Sequence, residues 1–454
     1  MEKTDKIDRR SFLTSAATVG LALPTALTAA LSDPPRARAA GPAPLNLNPP
    51  PGGYTAEADR ITQATLQHFW DPGARMFKAP VLSAEAVQSD ATHNLGYVFW
   101  PSQIALHSLV EGAKSNPTKY APQIWTVYSG LEQYFNSGMH AYNAWLYFSG
   151  NNDAYYDDNA WAVITLAEAY LATKNLDPTH ANTYLNRAID IMANFVYAGW
   201  DNTGNPGGER WGTDPTKAGT SDRTTSATAG AALAALTLAR AGWNASFNIS
   251  WGASVLSWLW THLRDTDNLI LDGLQSPNWA VMTTKWTYNT GVPMRAYIEH
   301  YRLTNNSASL ANATTLANVA LDHTARLYDG LVSDTTKRCF YDATYFVHFL
   351  MDGLLQVRQA TPNASLATAI TTEGRREANY AYNYIRDNID NFYWRNWRLW
   401  CIGSGQLAQW QQFTGQTTTL QTDYSEMSND HSQWVKTLLA NASASRLFWI
   451  ASRF

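Results

Sequence analysis

From Tyr54 onward, apolar positions recur at the three- and four-residue spacing that gives a helix one buried face, interrupted by loops carrying Gly, Asn, Asp and Pro. The spacing predicts helices over Ala56–Trp70, Gln103–Glu111, Ala121–Asn136, Asn159–Thr173, Ala181–Ala198, Thr224–Ala241, Ser250–Leu263, Gly291–Leu303, Leu310–Leu327, Tyr345–Ala360, Glu373–Asn391 and Ser432–Ala440. Few stretches alternate with the period of two that marks a strand. No linker follows residue 53, so about twelve helices form one all-α domain over residues 54–454. The helices come in successive pairs. Several close on a similar phrase, Ala169-Tyr170-Leu171-Ala172-Thr173 and His300-Tyr301-Arg302-Leu303-Thr304, as stacked helical hairpins do. Twelve such helices either extend as an open solenoid or close into a ring of six hairpins, the (α/α)6 barrel, and the periodicity is the same for both.

The amino terminus follows another pattern. Ile7-Asp8-Arg9-Arg10-Ser11-Phe12-Leu13 is a twin-arginine sequence, Ala16 to Leu31 is apolar, and Ala37-Arg38-Ala39 offers a small-x-small cleavage site. Residues 1–39 are therefore expected to be a twin-arginine signal peptide, with a periplasmic or extracellular destination. The apolar stretch is short and broken by Pro24, so no permanent membrane span is expected. Residues 40–53, rich in Pro, Gly and Asn, read as a flexible lead-in.

Hydrophobic residues at 45% and charged residues at 15% allow a large core. Residues 1–39 carry six basic and four acidic side chains, so their loss takes the net charge from −4 to −6, a balance that argues against nucleic acid as a partner. Nineteen Trp and 23 Tyr fit either wide helix contacts or a carbohydrate cleft, because these side chains join an apolar face to a polar handle. Cys339 and Cys401 allow a disulfide closing a long loop, or two buried thiols. No Cys/His cluster has metal-ligand spacing, so neither metal nor cofactor is expected. The Asn-x-Ser/Thr sequences at Asn244, Asn248, Asn305, Asn312, Asn363 and Asn441 read as polar loop residues rather than glycan acceptors, given the bacterial-type leader.

The densest chemistry lies in Tyr155-Tyr156-Asp157-Asp158-Asn159-Ala160-Trp161. Aspartate is a favoured helix N-cap and complements the helix dipole, which explains one acid but not two. Retaining hydrolysis of a glycosidic bond needs one carboxylate as nucleophile and one carboxyl as proton donor, roughly 5 Å apart. Adjacent residues inside a helix diverge by about 100°. A non-helical first residue would bring both into one cleft, where each would help set the other's protonation.

Tyr156-Asp157-Asp158-Asn159-Ala160-Trp161, continuing to Glu168-Ala169-Tyr170 and Thr173, resembles the signature of glycoside hydrolase family 76. So does Trp286-Thr287-Tyr288-Asn289-Thr290-Gly291, with Tyr301 and Thr304 after it. Phe99-Trp100, Asp272-Gly273-Leu274 and the loop Gly207-Gly208-Glu209-Arg210-Trp211 support the likeness. The resemblance implies an (α/α)6 barrel and endo-α-1,6-mannanase activity, with Asp157 as nucleophile and Asp158 as acid/base. It also implies sugar contacts from Tyr156, Trp161, Trp211, Thr287, Tyr288 and Asn289. The partner is then a polysaccharide or oligosaccharide, α-mannan first, and the protein is expected to be a monomer. The chain departs from the family at Asn159, where an acid is frequent, at Ala160-Trp161 in place of a tryptophan doublet, and at Phe340-Tyr341-Asp342. Those departures bear on the sugar more than on the reaction.

Other candidates carry plainer readings. The 207–211 loop is either a cleft rim or an ordinary connection, and Asp214, Ser221 or Asp222 after it could bond a sugar hydroxyl. Asp342 and His348 read as a satisfied structural pair. Trp394, Trp397 and Trp400, one helical turn apart, read as core. Two other functions share these features: a transglycosidase passing the same covalent intermediate to a sugar hydroxyl, and a glycan-binding protein without turnover.

Overall fold

The computed structural model describes residues 47–78, 97–147, 149–201, 206–395, 397, 404–419 and 436–454. The expected signal peptide, Trp400 and Cys401 lie outside them. Among the described residues there are thirteen helices of eleven residues or more: α1 Gly53–Phe69, α2 Phe99–Ala113, α3 Pro117–Leu131, α4 Tyr156–Thr173, α5 Pro178–Ile191, α6 Thr225–Arg240, α7 Ala245–Leu263, α8 Thr287–Thr304, α9 Ser307–Ala320, α10 Thr344–Ala360, α11 Ala364–Tyr380, α12 Ser404–Thr414 and α13 Leu438–Ala451.

They form two concentric rings. The inner helices α2, α4, α6, α8, α10 and α13 pack side to side in that order, and α13 packs back on α2. Every residue of α2 and α13 is buried, because one face meets the barrel axis and the other the outer ring. The outer helices bury one face only, as in α5, where Ala181, Tyr184, Ala188 and Ile191 point inward. Each inner helix pairs with the outer helix after it, except that α13 pairs with α1. The first and last helices thus make the sixth hairpin, and the ring closes; the open solenoid is excluded. Glycine sets the closest approach: a Cβ on Gly353 of α10 would sit 2.4 Å from the Gly291 carbonyl oxygen of α8.

The two ends of the barrel differ. Short turns such as Asn305-Asn306 join inner to outer helices, and Asn116, Asp177, Asn306 and Asn363 cap the outer helices that follow. The longer return connections carry small antiparallel ribbons: β1 Trp70–Asp71 with β2 Met76–Phe77, β3 Phe135–Asn136 with β4 Ala141–Tyr142, and β5 Trp200–Asp201 with β6 Gly208–Glu209. A three-stranded sheet follows, β7 Arg223–Thr224, β8 Gly273–Gln275 and β9 Ala280–Met282. These strands are too short to leave an alternating pattern. They do leave another mark. An Asp or Asn closes each outer helix at 71, 136, 201, 265, 329 and 387, at intervals of 65, 65, 64, 64 and 58 residues. In four of these the side chain takes the backbone N–H two residues on: Asp71 from Gly73, Asn136 from Gly138, Asp329 from Leu331 and Asp387 from Ile389.

Several expectations are corrected. α4 starts at Tyr156, not Asn159, so both aspartates are helical. α13 runs Leu438–Ala451 rather than ending at Ala440, and α12 had no counterpart. Part of the lead-in is pinned, since Asn379 of α11 and Asn383 just after it donate to the carbonyls of Leu47 and Asn48 at 2.9 and 2.8 Å. Asn248, Asn312 and Asn441 lie within helices, not loops, and Asn441 is fully buried against Tyr393. Trp394 and Trp397 are core, and Cys339 is a buried free thiol.

The short-turn end of the barrel is filled by ions. His107 and Glu111 of α2, Glu168 of α4, Arg295 of α8, Asp352 of α10 and Arg446 of α13 are all buried. Arg295 joins Glu168 to Asp352, Arg446 reaches Asp352 at 2.5 Å, and Lys114 reaches Glu168 at 3.0 Å. The guanidinium and ammonium groups hold Glu111, Glu168 and Asp352 below the usual carboxylate range against the pull of burial.

Candidate active site

At the other end, six inner-helix N-termini converge with their positive dipole ends. α4 opens from Tyr155, an extended residue whose side chain makes no cap. Neither aspartate is the cap. Asp157 and Asp158 occupy the first turn, and Asp157 Oδ1 takes the Asp158 N–H at 2.9 Å. Its Oδ2 takes the indole N–H of Trp211 at 3.0 Å. Asp157 and Asp158 are 5% and 1% exposed, so this is a sheltered pair at the floor of the mouth. Asn159 fixes the turn from behind, accepting from Tyr142 N at 2.7 Å and donating to the Tyr142 and Tyr155 carbonyls. An acid at that position could not donate to two carbonyls.

α8, across the ring, supplies the second cluster. The Tyr288 hydroxyl donates to Asp272 Oδ1 at 2.7 Å, and Asn289 Nδ2 reaches the same oxygen at 3.3 Å. Burial, then the charges of Asp272, Asp157 and Asp342, push the Tyr288 phenol well above its ordinary range, so it remains a donor. That list of charges puts the two clusters in one field. Asn289 Oδ1 is buried with no hydrogen-bond partner among the described residues. Thr287 presents its N–H and hydroxyl to Asp342 Oδ2 at 2.9 and 3.0 Å, which anchors the start of α8. Burial pushes the Asp342 carboxyl up to about 7, against the N–H bonds from Thr287 and Ala343.

The other expected contacts divide. Trp161 lies one turn below the acids, its ring 4.7 Å from Phe349 of α10, inside the barrel. Tyr156 turns the other way, stacked on Phe195 at 4.6 Å with Arg210 over it, in the seam between rings. Trp211 is buried against Tyr155 and bonded to Asp157. Asp222 takes Ser276 N, and Asp214 caps its own turn through Thr216. Asp342 and His348 are not a pair: His348 accepts from Arg446 at 2.6 Å, in the ionic end. Sequence reasoning undervalued Asp272 and Asp342. The signal for the latter was that α8 begins with no capping side chain of its own.

His107, Glu111 and Glu168 bring three ligand atoms within 4.8 Å of one another. Lys114, Arg295, Arg446 and Arg453 already neutralise those carboxylates, leaving a cation little to gain. No helix among the described residues is long and apolar enough to cross a membrane.

An (α/α)6 barrel with paired buried acids at one mouth defines a class, the helical-barrel enzymes that act on glycosidic bonds. The chain belongs to glycosyl hydrolase family 76, whose sequence profile matches residues 54–437. It is similar to the meiotically up-regulated gene 191 protein of Schizosaccharomyces pombe, 26% identical over 416 residues, 88% of this chain and 92% of that one. Its fold matches the family 76 α-mannanase of Bacteroides thetaiotaomicron, with a TM-score of 0.67, 19% identity, and 88% and 95% of the two chains covered. It also matches an inactive α-1,6-mannanase variant of Salegentibacter sp. HEL1_6, in which two consecutive aspartates are replaced, in complex with α-1,6-mannotriose. There the TM-score is 0.65 at 15% identity, covering 88% and 99%.

Proposed function

We propose that the chain is an exported, retaining glycoside hydrolase that cuts inside α-1,6-linked mannan, with Asp157 as nucleophile and Asp158 as acid/base. The observation that carries this reading is the sheltered Asp157–Asp158 pair in the first turn of α4, with the charge of Asp157 acting on Tyr288 of the α8 cluster. The replaced consecutive aspartates of the Salegentibacter mannanase and its bound mannotriose support the assignment of reaction and sugar. Asp157 attacks the anomeric carbon while Asp158 protonates the departing oxygen. Asp158 then takes a proton from the water that releases the sugar, and configuration is retained. Tyr288, held as a donor, and the unpartnered Asn289 Oδ1 are groups through which sugar hydroxyls can be read.

The test is activity of the mature chain on a panel of α-mannans and other α-glycans, with product linkage and anomeric configuration followed by NMR. Asp157→Asn and Asp158→Asn, made separately, should each lower kcat by about 10³-fold or more while thermal unfolding is unchanged. Full activity in both variants would sink the mechanism. Products longer than the substrate, on adding an acceptor sugar, would assign transglycosylation instead.

A further inference from the structure

Trp211 is expected from the sequence to grip sugar, but the structure gives its indole another task. We infer that Trp211 is a positioning residue for Asp157, fixing the plane of the attacking carboxylate. The inference rests on the glycosidase reading above and deepens it.

The two oxygens of Asp157 are held from two different elements. Oδ1 takes the Asp158 backbone N–H from within α4, and Oδ2 takes the Trp211 Nε1–H from the connection that follows β6. Two fixed donors in different directions set the carboxylate's plane as well as its position. The connection is itself clamped to α4. The Tyr156 N–H donates to the Trp211 carbonyl at 2.9 Å, Trp211 N–H donates to the Asp222 carbonyl at 3.1 Å, and Tyr155 bridges to Gly212. The indole ring lies 4.9 Å from the ring of Tyr155 and is 5% exposed, so it offers its polar edge to Asp157 and little open face to a sugar. Asp222, which accepts from Trp211 N, also takes Ser276 N at 2.9 Å and so ties this clamp to the β8–β9 ribbon.

With its plane fixed by two donors, Asp157 is presented for attack, and Asp158 keeps the acid/base role given to it above. The bond from the anomeric carbon to the leaving oxygen breaks as the bond to Asp157 forms and Asp158 gives its proton to that oxygen; water then displaces Asp157 from the anomeric carbon and returns a proton to Asp158.

Trp211→Phe keeps a flat ring against Tyr155 and removes only the donor. Its expected effect is a fall in kcat of about 10- to 100-fold with KM within twofold, the size of loss that accompanies a misplaced reacting group. The loss should be equal on α-1,6-mannan and on an aryl α-1,6-mannobioside with a good leaving group, because the defect lies in the nucleophile. Asp158→Asn, by contrast, should recover glycosylation on the aryl substrate. Trp211→His, which restores a ring N–H, should regain part of kcat, and it serves as the second variant if the Phe form is unstable. A raised KM at unchanged kcat would make Trp211 a sugar contact. A loss that tracks a lowered unfolding temperature would make it structural. Either result overturns the inference. An active wild type indifferent to Trp211→Phe overturns the positioning role alone, whereas a wild type inactive on every mannan and mannoside overturns the glycosidase reading and this one with it.

Discussion

Asp342 illustrates how a buried acid can serve a site it does not enter. It accepts the first N–H of α8 and so fixes the turn that presents Tyr288 and Asn289. Its carboxyl is pushed up to about 7 in the fold, from an ordinary 3.8. The folded state therefore binds the proton more tightly, and the contribution of Asp342 to stability declines as pH rises from about 4 towards 7. Asp342→Asn should accordingly gain on the wild type across that window in urea unfolding; a difference independent of pH would contradict it. Asp342→Leu strands three donors and should cost about 2 kcal/mol or more at pH 6. At this scale the sequence was informative about which residues matter and poor about what they do. The aspartate pair was legible because a second acid exceeds what a cap requires. Tyr156 was expected in the cleft beside it, yet one residue of helix is about 100° of rotation, enough to put it in the seam on Phe195. Asp342 and His348, six residues apart, serve opposite ends of the barrel.

The elements repeat more regularly than their apolar pattern suggests. The Asp/Asn that follows each outer helix was present in the sequence at near-constant spacing, and it marks each return connection at the mouth. Two of these turns are further clamped: Lys285 to Asp265 and Asp267 at 2.5 and 2.7 Å, and Lys436 to Asp387 and Asp390 at 2.9 and 3.0 Å. Both lysines come just before an inner helix, so the clamp ties the end of an outer helix to the start of an inner one. Inner helices were read short or displaced, α2 as Gln103–Glu111 and α13 as Ser432–Ala440, because a helix buried all round has no polar face to give it a period. Their packing is testable at α8–α10. Gly353→Ala would push a methyl into the Gly291 backbone and should destabilise by about 1–3 kcal/mol, with a lowered unfolding midpoint. Gly242, whose added Cβ would meet nothing within 4 Å, is a poor control because its φ of 94° is itself unfavourable to Ala. Gly330, with open space and no such φ, is the better one and should tolerate Ala.

Over the whole molecule the barrel is polar at both ends in different ways, acidic residues at the mouth and a neutralised ionic lattice at the base. Burial, then the charge of Arg446, lowers the His107 imidazole to about 4, although Glu168 accepts from it at 3.1 Å. Glu168 is ionised, so the neutral ring donates from Nε2. The unfolded chain takes up this proton near 6.5 and the folded chain only near 4, so stability owed to neutral His107 is full above 6.5 and lost as pH falls towards 4. His107→Gln, which keeps a donor without the titration, should gain on the wild type as pH falls across that range. Thermal unfolding at pH 7 and pH 4.5 checks the sign. Closure of the ring was not legible in the local period, which solenoids and barrels share; the family resemblance implied it, and the packing of α13 on both α1 and α2 shows it.

That pairing has a consequence for how the molecule comes into being. α1 leaves the ribosome well before α13, with a separation of 385 residues from Gly53 to Leu438. At about 5–20 residues per second, α1 waits roughly 20–80 seconds for the helix it packs against. The remaining hairpins can assemble in order meanwhile, each on its predecessor, but the ring stays open until α13 emerges. Emergence of α13, rather than of any earlier hairpin, is then the moment at which the acid-bearing mouth acquires its full circumference.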